Sequence, residues 1–248
     1  MKKLFFPIGV LFLLMNNSLE AQVRHSHEVV LGSLQVKEQR NSGMVFSGVQ
    51  IEYRYGALWN INKYEVFYQP RLGAGIGFSR GMMGLQLPKI APINLTWTMR
   101  FYEQNGHTIK AGANLIADYS YQLYPYLQMG HLFYASEIGV SPVFRYNYQW
   151  KNRRIGGYLQ NSLFGFTAHS QKYDSYWFSF KAKEWLAEPH KNLKFGSFDK
   201  YNHTTVSFEF VPNSEKKHSI LYEFDYFTSY YGMKFSRLNH NLIWRIAL

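Results

Sequence analysis

His169 and Ser170 are the residues of this chain whose types come nearest to a catalytic pair. A serine hydroxyl can attack a carbonyl if an imidazole takes its proton and an acidic or amide group orients the ring. Asp174 and Asn161 are close enough in sequence to supply that third group. The spacing is awkward, because neighbouring residues of a strand point to opposite faces. His169 can serve Ser170 as base only if the strand ends between them. A polar strand end at the level of lipid headgroups accounts for the same residues and is the preferred reading.

A second candidate is a binding surface. Residues 170–202 bring Tyr176, Trp177, Trp185 and Phe195 together with Lys181, Lys183 and Lys191. Aromatic anchors give desolvated contact, and lysines steer toward an acidic surface. Long connections are uncommon unless they work or fold over something. Tyr176, Phe178 and Phe180 also alternate, as do Leu193, Phe195 and Ser197, so an extension of strand structure stands equally beside the loop reading. His25 and His27 share a face near the start of the exported chain. Two histidines without further ligands do not make a metal site, and a disordered terminus is expected there. No metal and no cofactor is implied anywhere.

The elements that must position these groups show in residues 137–150. Ile138, Val140, Pro142, Phe144, Tyr146, Tyr148 and Trp150 fall on one side, and Glu137, Arg145, Asn147 and Gln149 on the other. This is the period-two pattern of a strand with one apolar and one polar face. It recurs, giving strands over 28–37, 44–55, 64–78, 93–102, 107–123, 137–150, 155–168, 203–211, 219–230 and 235–248. The seventh is ambiguous in parity. Asn105-Gly106 is the strongest hairpin signal. Connections after the even strands are short. Those after the third, fifth and seventh are longer, at 79–92, 124–136 and 170–202. Spanning barrels show short periplasmic turns and longer external loops.

On this parity the inner face holds Glu52, Arg54, Glu65, Arg71, Arg100, Asp118, Arg145, Glu209, Glu223, Asp225, Arg237 and Arg245, with Lys110 and Glu137. The expected lumen is therefore near neutral and filled by an ion-pair network, since buried charges must be paired and a barrel of this size is narrow. A small charge-lined pore is the alternative.

Composition agrees. Aromatics make up 19% of 248 residues, mean hydropathy is −0.30, and there is no cysteine, hence no lipoprotein anchor, disulfide or thiolate metal site. Lys2 and Lys3 precede an apolar run from Leu4 to Met15, so residues 1–21 read as a cleaved signal peptide and 22–248 as one domain. The exported part carries 25 basic and 15 acidic residues, net +10. Attraction to anionic lipid or lipopolysaccharide and general solubility account for that surplus equally well. Nucleic acid is not an expected partner of an exported barrel.

The expected fold is all-β, a closed antiparallel up-and-down transmembrane β-barrel of about ten strands, with eight or twelve as alternatives. The chain resembles small bacterial outer-membrane barrels of the OmpA and OmpX type, and its tyrosine content and cleavage region resemble exported proteins of the Bacteroidetes. The resemblance is architectural. Such barrels often end in a C-terminal aromatic, where this chain has Leu248. Small barrels also include lipid hydrolases whose pattern is His, one residue, then Ser and Asn, which His169-Ser170 does not meet. The expected role is that of a non-enzymatic scaffold or accessory subunit of the outer membrane. It would bind a protein or envelope-glycolipid partner, within a larger outer-membrane complex, through external loops. A lipid esterase or deacylase using His169 and Ser170, and a small transport pore, are the alternatives.

Overall fold

A computed structural model describes residues 23–38, 43–125, 131–162, 164–169, 193–197, 200–213, 217–230 and 234–248. The strands are β1 (Val23–Glu38), β2 (Val45–Ile61), β3 (Tyr64–Tyr68), β4 (Arg71–Ser79), β5 (Met82–Gln104), β6 (His107–Tyr124), β7 (His131–Trp150), β8 (Arg153–Asn161), β9 (Phe164–His169), β10 (Lys194–Ser197), β11 (Tyr201–Val211), β12 (His218–Tyr230) and β13 (Lys234–Ala247). All pairings are antiparallel. β1 pairs with both β2 and β13, and β8 with both β7 and β11, so the sheet closes on itself.

The wall has ten positions. β3 and β4 are two halves of one wall strand between β2 and β5. They part at Pro70, which has no N–H to give, yet Gln69 N still donates to Asn94 O and Tyr55 N to Pro70 O. β8 and β9 are likewise halves of one strand against β7. β10 is extra, pairing with β9.

The wall strands follow the alternation in the sequence, but two expected loops are in part strand. Residues 79–92 form a tight Arg80-Gly81 turn, both residues at positive φ, followed by the first half of β5. Pro88 and Pro92 obscure this strand in the sequence. They are accommodated by two bulges, where Leu87 and Pro88 lie opposite Tyr121 and Ala91 and Pro92 opposite Asp118. A bulge leaves one residue out of the ladder, which is where proline is tolerated in a sheet. Of the expected loop 124–136, Tyr124 belongs to β6 and residues 131–136 to β7, while residues 126–130 lie outside the described residues. The parity of the seventh wall strand is ambiguous for a physical reason: Ser162 and Gly165 are both buried, on either side of the break between β8 and β9.

Polarity is inverted relative to a soluble protein. Leu31, Val49, Ile51, Phe208, Leu242 and Trp244 stand exposed on the outer wall, while Glu28, Glu52, Arg54 and Glu137 are fully buried inside. In hydrocarbon every backbone polar group must be paired internally, and a closed barrel does this with strands. His25 and His27 are ordered in β1 rather than lying in a loose terminus. They share hydrogen bonds with the hydroxyls of Tyr55 and Tyr53 on the outer wall. Near the same rim His107 bonds Tyr146, giving an amphipathic girdle of the kind that sits at a membrane interface.

Some inward glycines are dictated by close approach. A Cβ on Gly48 would collide with Ile76 O in the neighbouring strand, whereas one on Gly157 would meet nothing within 4 Å. Gly48→Ala is therefore expected to force β2 and β4 apart and lower stability by about 1–3 kcal/mol or prevent assembly. Gly157→Ala should be neutral. Urea unfolding in lipid vesicles, read by heat-modifiable gel mobility, checks the contrast.

Candidate functional site

The lumen is the only place among the described residues where buried charged side chains converge, and it changes character from one rim to the other. At the rim of the short turns it opens as a cavity of about 400 Å3. Glu65 of β3 there accepts bonds from Lys110 of β6 and, at 2.9 Å, from Arg145 of β7. Glu209 of β11 accepts from Arg245 at 2.7 Å, Arg154 at 3.2 Å and Ser219 at 2.9 Å. Arg145 also lies over the rings of Phe67 and Tyr158.

Deeper in, Arg54 is the centre. Its two terminal nitrogens fork onto both oxygens of Glu223, at 2.9 and 2.7 Å, and its Nε donates to Glu52. Lys89 holds the other oxygen of Glu52 at 3.1 Å. Glu28 takes Arg245 at 2.6 Å and Gln69 at 2.8 Å. The third layer is built on His203. Its Nδ1 lies 2.6 Å from Glu137 and its Nε2 2.7 Å from Asp225. Two carboxylate acceptors call for two donors, so both ring nitrogens carry hydrogens. Thr205 and Asn239 complete Asp225, and Arg237 bridges to Asp118 at 2.9 Å.

The far end is closed by apolar side chains. Leu34, Val36, Phe46, Tyr124, Phe133, Ala135, Tyr201, Phe227 and Phe235 form one buried cluster. Ring pairs cross the bore, Phe133–Phe235 at 5.1 Å and Phe46–Tyr124 at 4.7 Å between centroids. Inward glycines leave room for this packing: a Cβ on Gly75 would sit 2.8 Å from Leu34.

Most residues assigned to the lumen from parity therefore face it, but the set needs correcting. Arg100 lies at the short-turn rim, where it pairs with the exposed Glu103 beside a bulge. The bulge falls where inside and outside stop being distinct. Glu28, Lys89 and His203 join the network although the sequence reading does not single them out. Glu28 lies on the strand with the least regular pattern, Lys89 lies in the expected loop, and the partners of His203 are 66 and 22 residues away in sequence.

Of the three catalytic candidates, the described residues include only His169. His169 is buried inside the barrel, with its ring stacked on Phe133, so it does not stand on the lipid-facing wall. Ser170 and Asp174 lie outside the described residues, as do Tyr176, Trp177, Lys181, Lys183, Trp185 and Lys191, and the signal peptide. Phe195 belongs to β10, not to a loop tip. It faces outward, exposed, against Phe166 of β9. Residues 193–197 and 200–202 likewise belong to ordered structure, the latter leading into β11.

No family model matches the chain, and no curated protein matches it. Solved structures do. The outer membrane protease OmpT from Escherichia coli superposes with a TM-score of 0.60 at 6% identity, over 93% of this chain and 98% of that one. The translocator domain of the autotransporter NalP from Neisseria meningitidis gives 0.46 at 6% identity, over 98% and 94%. At such identity the likeness is one of fold. The chain has the outer-membrane β-barrel fold. The apolar outer wall and charged interior require a bilayer outside, and the closed ten-position wall belongs to the outer-membrane class.

Removing one partner of a buried ion pair leaves the others uncompensated, at a cost of about 3–5 kcal/mol. Arg54→Met should lower barrel stability by about that amount, since Glu52 and Glu223 lose their shared cation. Arg54→Met combined with Glu223→Gln should recover much of the loss, because Glu52 keeps Lys89 as its cation. Equilibrium unfolding midpoints of the native protein and the two variants check the order.

Proposed function

We propose that the protein is a non-enzymatic, non-conducting barrel that serves as a scaffold or accessory subunit in the outer membrane. In this reading its partner is a protein or an envelope glycolipid, engaged through segments on the rim opposite the short turns. The observation that carries this reading is the closure of the lumen. Two successive obstacles cross the bore: the salt-bridged layers around Arg54 and His203, and the aromatic cluster of Phe133, Phe227 and Phe235. A channel would have to break both. The placement of His169 beside that cluster removes the base from an esterase on the outer wall. The segment between β9 and β10 is the long connection of the chain and, with its aromatics and lysines, is the proposed contact.

Planar-bilayer recordings should show no steady conductance for the native chain. Phe133→Ala with Phe227→Ala and Phe235→Ala removes one obstacle only and should still give at most brief openings. A robust open channel from the native protein would defeat the reading. For the contact, deletion of residues 174–190 should leave the barrel inserted, because rim segments add little to the ladder. It should also abolish co-purification of partner or lipopolysaccharide from native membranes. Equal recovery with both forms would place the contact elsewhere.

A further inference from the structure

The cavity at the short-turn rim has no part in the scaffold reading, yet it is a sizeable recess rich in charged side chains. Its lining carries eight lysine and arginine side chains against three carboxylates, Glu65, Glu209 and Glu223. Each of these carboxylates is already engaged, Glu65 by Lys110 and Arg145, Glu209 by Arg154 and Arg245, and Glu223 by Arg54. Glu28 and Glu52 behind Arg54 lower the excess of positive charge but do not cancel it. Three cations are left over. Arg24 and Lys217 stand at the mouth and form no ion pair among the described residues. Arg71 donates only to Gln69, at 3.3 Å, and its Nε is buried with no hydrogen-bond partner. A buried guanidinium donor without an acceptor is costly, and it is a donor that a bound anion would satisfy.

We infer that this cavity is a blind binding site for a small polyanion carrying phosphate or carboxylate groups, entering from the periplasm. Three features support this. First, a volume of about 400 Å3 is in the range of small-ligand pockets. Second, the planar fork of arginine matches carboxylate and phosphate oxygens. Third, the recess is walled by low-dielectric sheet, which focuses the field of its cations. The ion-pair layer around Arg54 forms its floor, so an anion that enters has no way through. Only the blindness of the site rests on the closed-lumen reading, and conductance tests that reading separately from binding.

The test is titration calorimetry on the purified full barrel in neutral detergent, with inorganic pyrophosphate, citrate and, as cationic control, spermidine. Pyrophosphate and citrate should bind with one-to-one stoichiometry, weakening as salt is raised but persisting at physiological ionic strength. Spermidine should not bind. Arg71→Gln should weaken binding about tenfold. The double variant Arg24→Gln, Lys217→Gln alters only exposed positions and so keeps the fold intact, and it should also weaken binding. Arg100→Gln, on the rim outside the cavity, should leave it unchanged. Absence of anion binding by the native barrel, binding that vanishes at physiological salt, or equal binding by the native protein and the Arg24, Lys217 variant would overturn the inference. A preference for pyrophosphate over citrate would support the phosphate form of the site, and the reverse its carboxylate form.

Discussion

The ladder between β1 and β13 is the interaction on which everything else depends. It joins the first strand of the wall to the last, from Ser26 with Ala247 to Glu38 with Phe235. Without it the sheet would have two open edges in hydrocarbon, each a row of unsatisfied N–H and C=O groups. With it, the curvature is set, and with ten wall positions so is the bore. That bore is too narrow to leave a wide aqueous channel. It is also lined by strands whose outer faces have already taken the apolar side chains. What remains for the inside is largely polar, and in a confined space polar groups must find one another. The networks around Arg54 and His203 are the outcome. Each draws on several strands, so they tie together parts of the wall that share no backbone bond.

Buried ion pairs are weak evidence of stability, because desolvation offsets much of the attraction. Their role here is better described as specification. Arg54 reaches Glu52 on its own strand and Glu223 on β12. His203 on β11 reaches Glu137 on β7 and Asp225 on β12. A slip of one residue in any of these strands would turn its charges toward lipid and its apolar side chains into the lumen. The network thus selects one register. The aromatic cluster at the opposite end does the same by packing, and the two together fill much of the described lumen.

How much of this the sequence discloses depends on the range of the interaction. Strand alternation is local, so the faces of β2, β7, β12 and β13 can be read directly from runs such as Tyr222, Phe224 and Tyr226 against Glu223 and Asp225. The Asn105-Gly106 turn is equally plain, because positive φ at both residues favours those types. Bulges are where local reading stops. Those at Pro88 and Pro92 disguise half of β5 as a loop and hide Lys89. The irregularity between Ser162 and Gly165 conceals which way β8 and β9 face, and with it the burial of His169. Arg100 reads as a lumen residue because parity says nothing about where a wall ends. The parity that turns Glu209 inward turns His203 inward too, but nothing local marks what it will meet. Its role comes from two carboxylates on other strands, and only the closed register brings them together.

The lumen widens into a cavity at the short-turn rim and holds the apolar cluster toward the other, and single thiols can test whether it is closed because the chain has no cysteine of its own. Ser207 lines the cavity and Ala135 lies in the apolar cluster. Ser207→Cys and Ala135→Cys proteins, inserted in cells, would be exposed to a membrane-impermeant maleimide before and after the outer membrane is breached. The thiol at 207 should stay unlabelled in intact cells and be labelled once the periplasm is reached, while that at 135 should resist in both. Labelling at 207 from outside intact cells would show that the bore is open through the membrane or faces the other way, and would contradict the closed, inward-opening lumen.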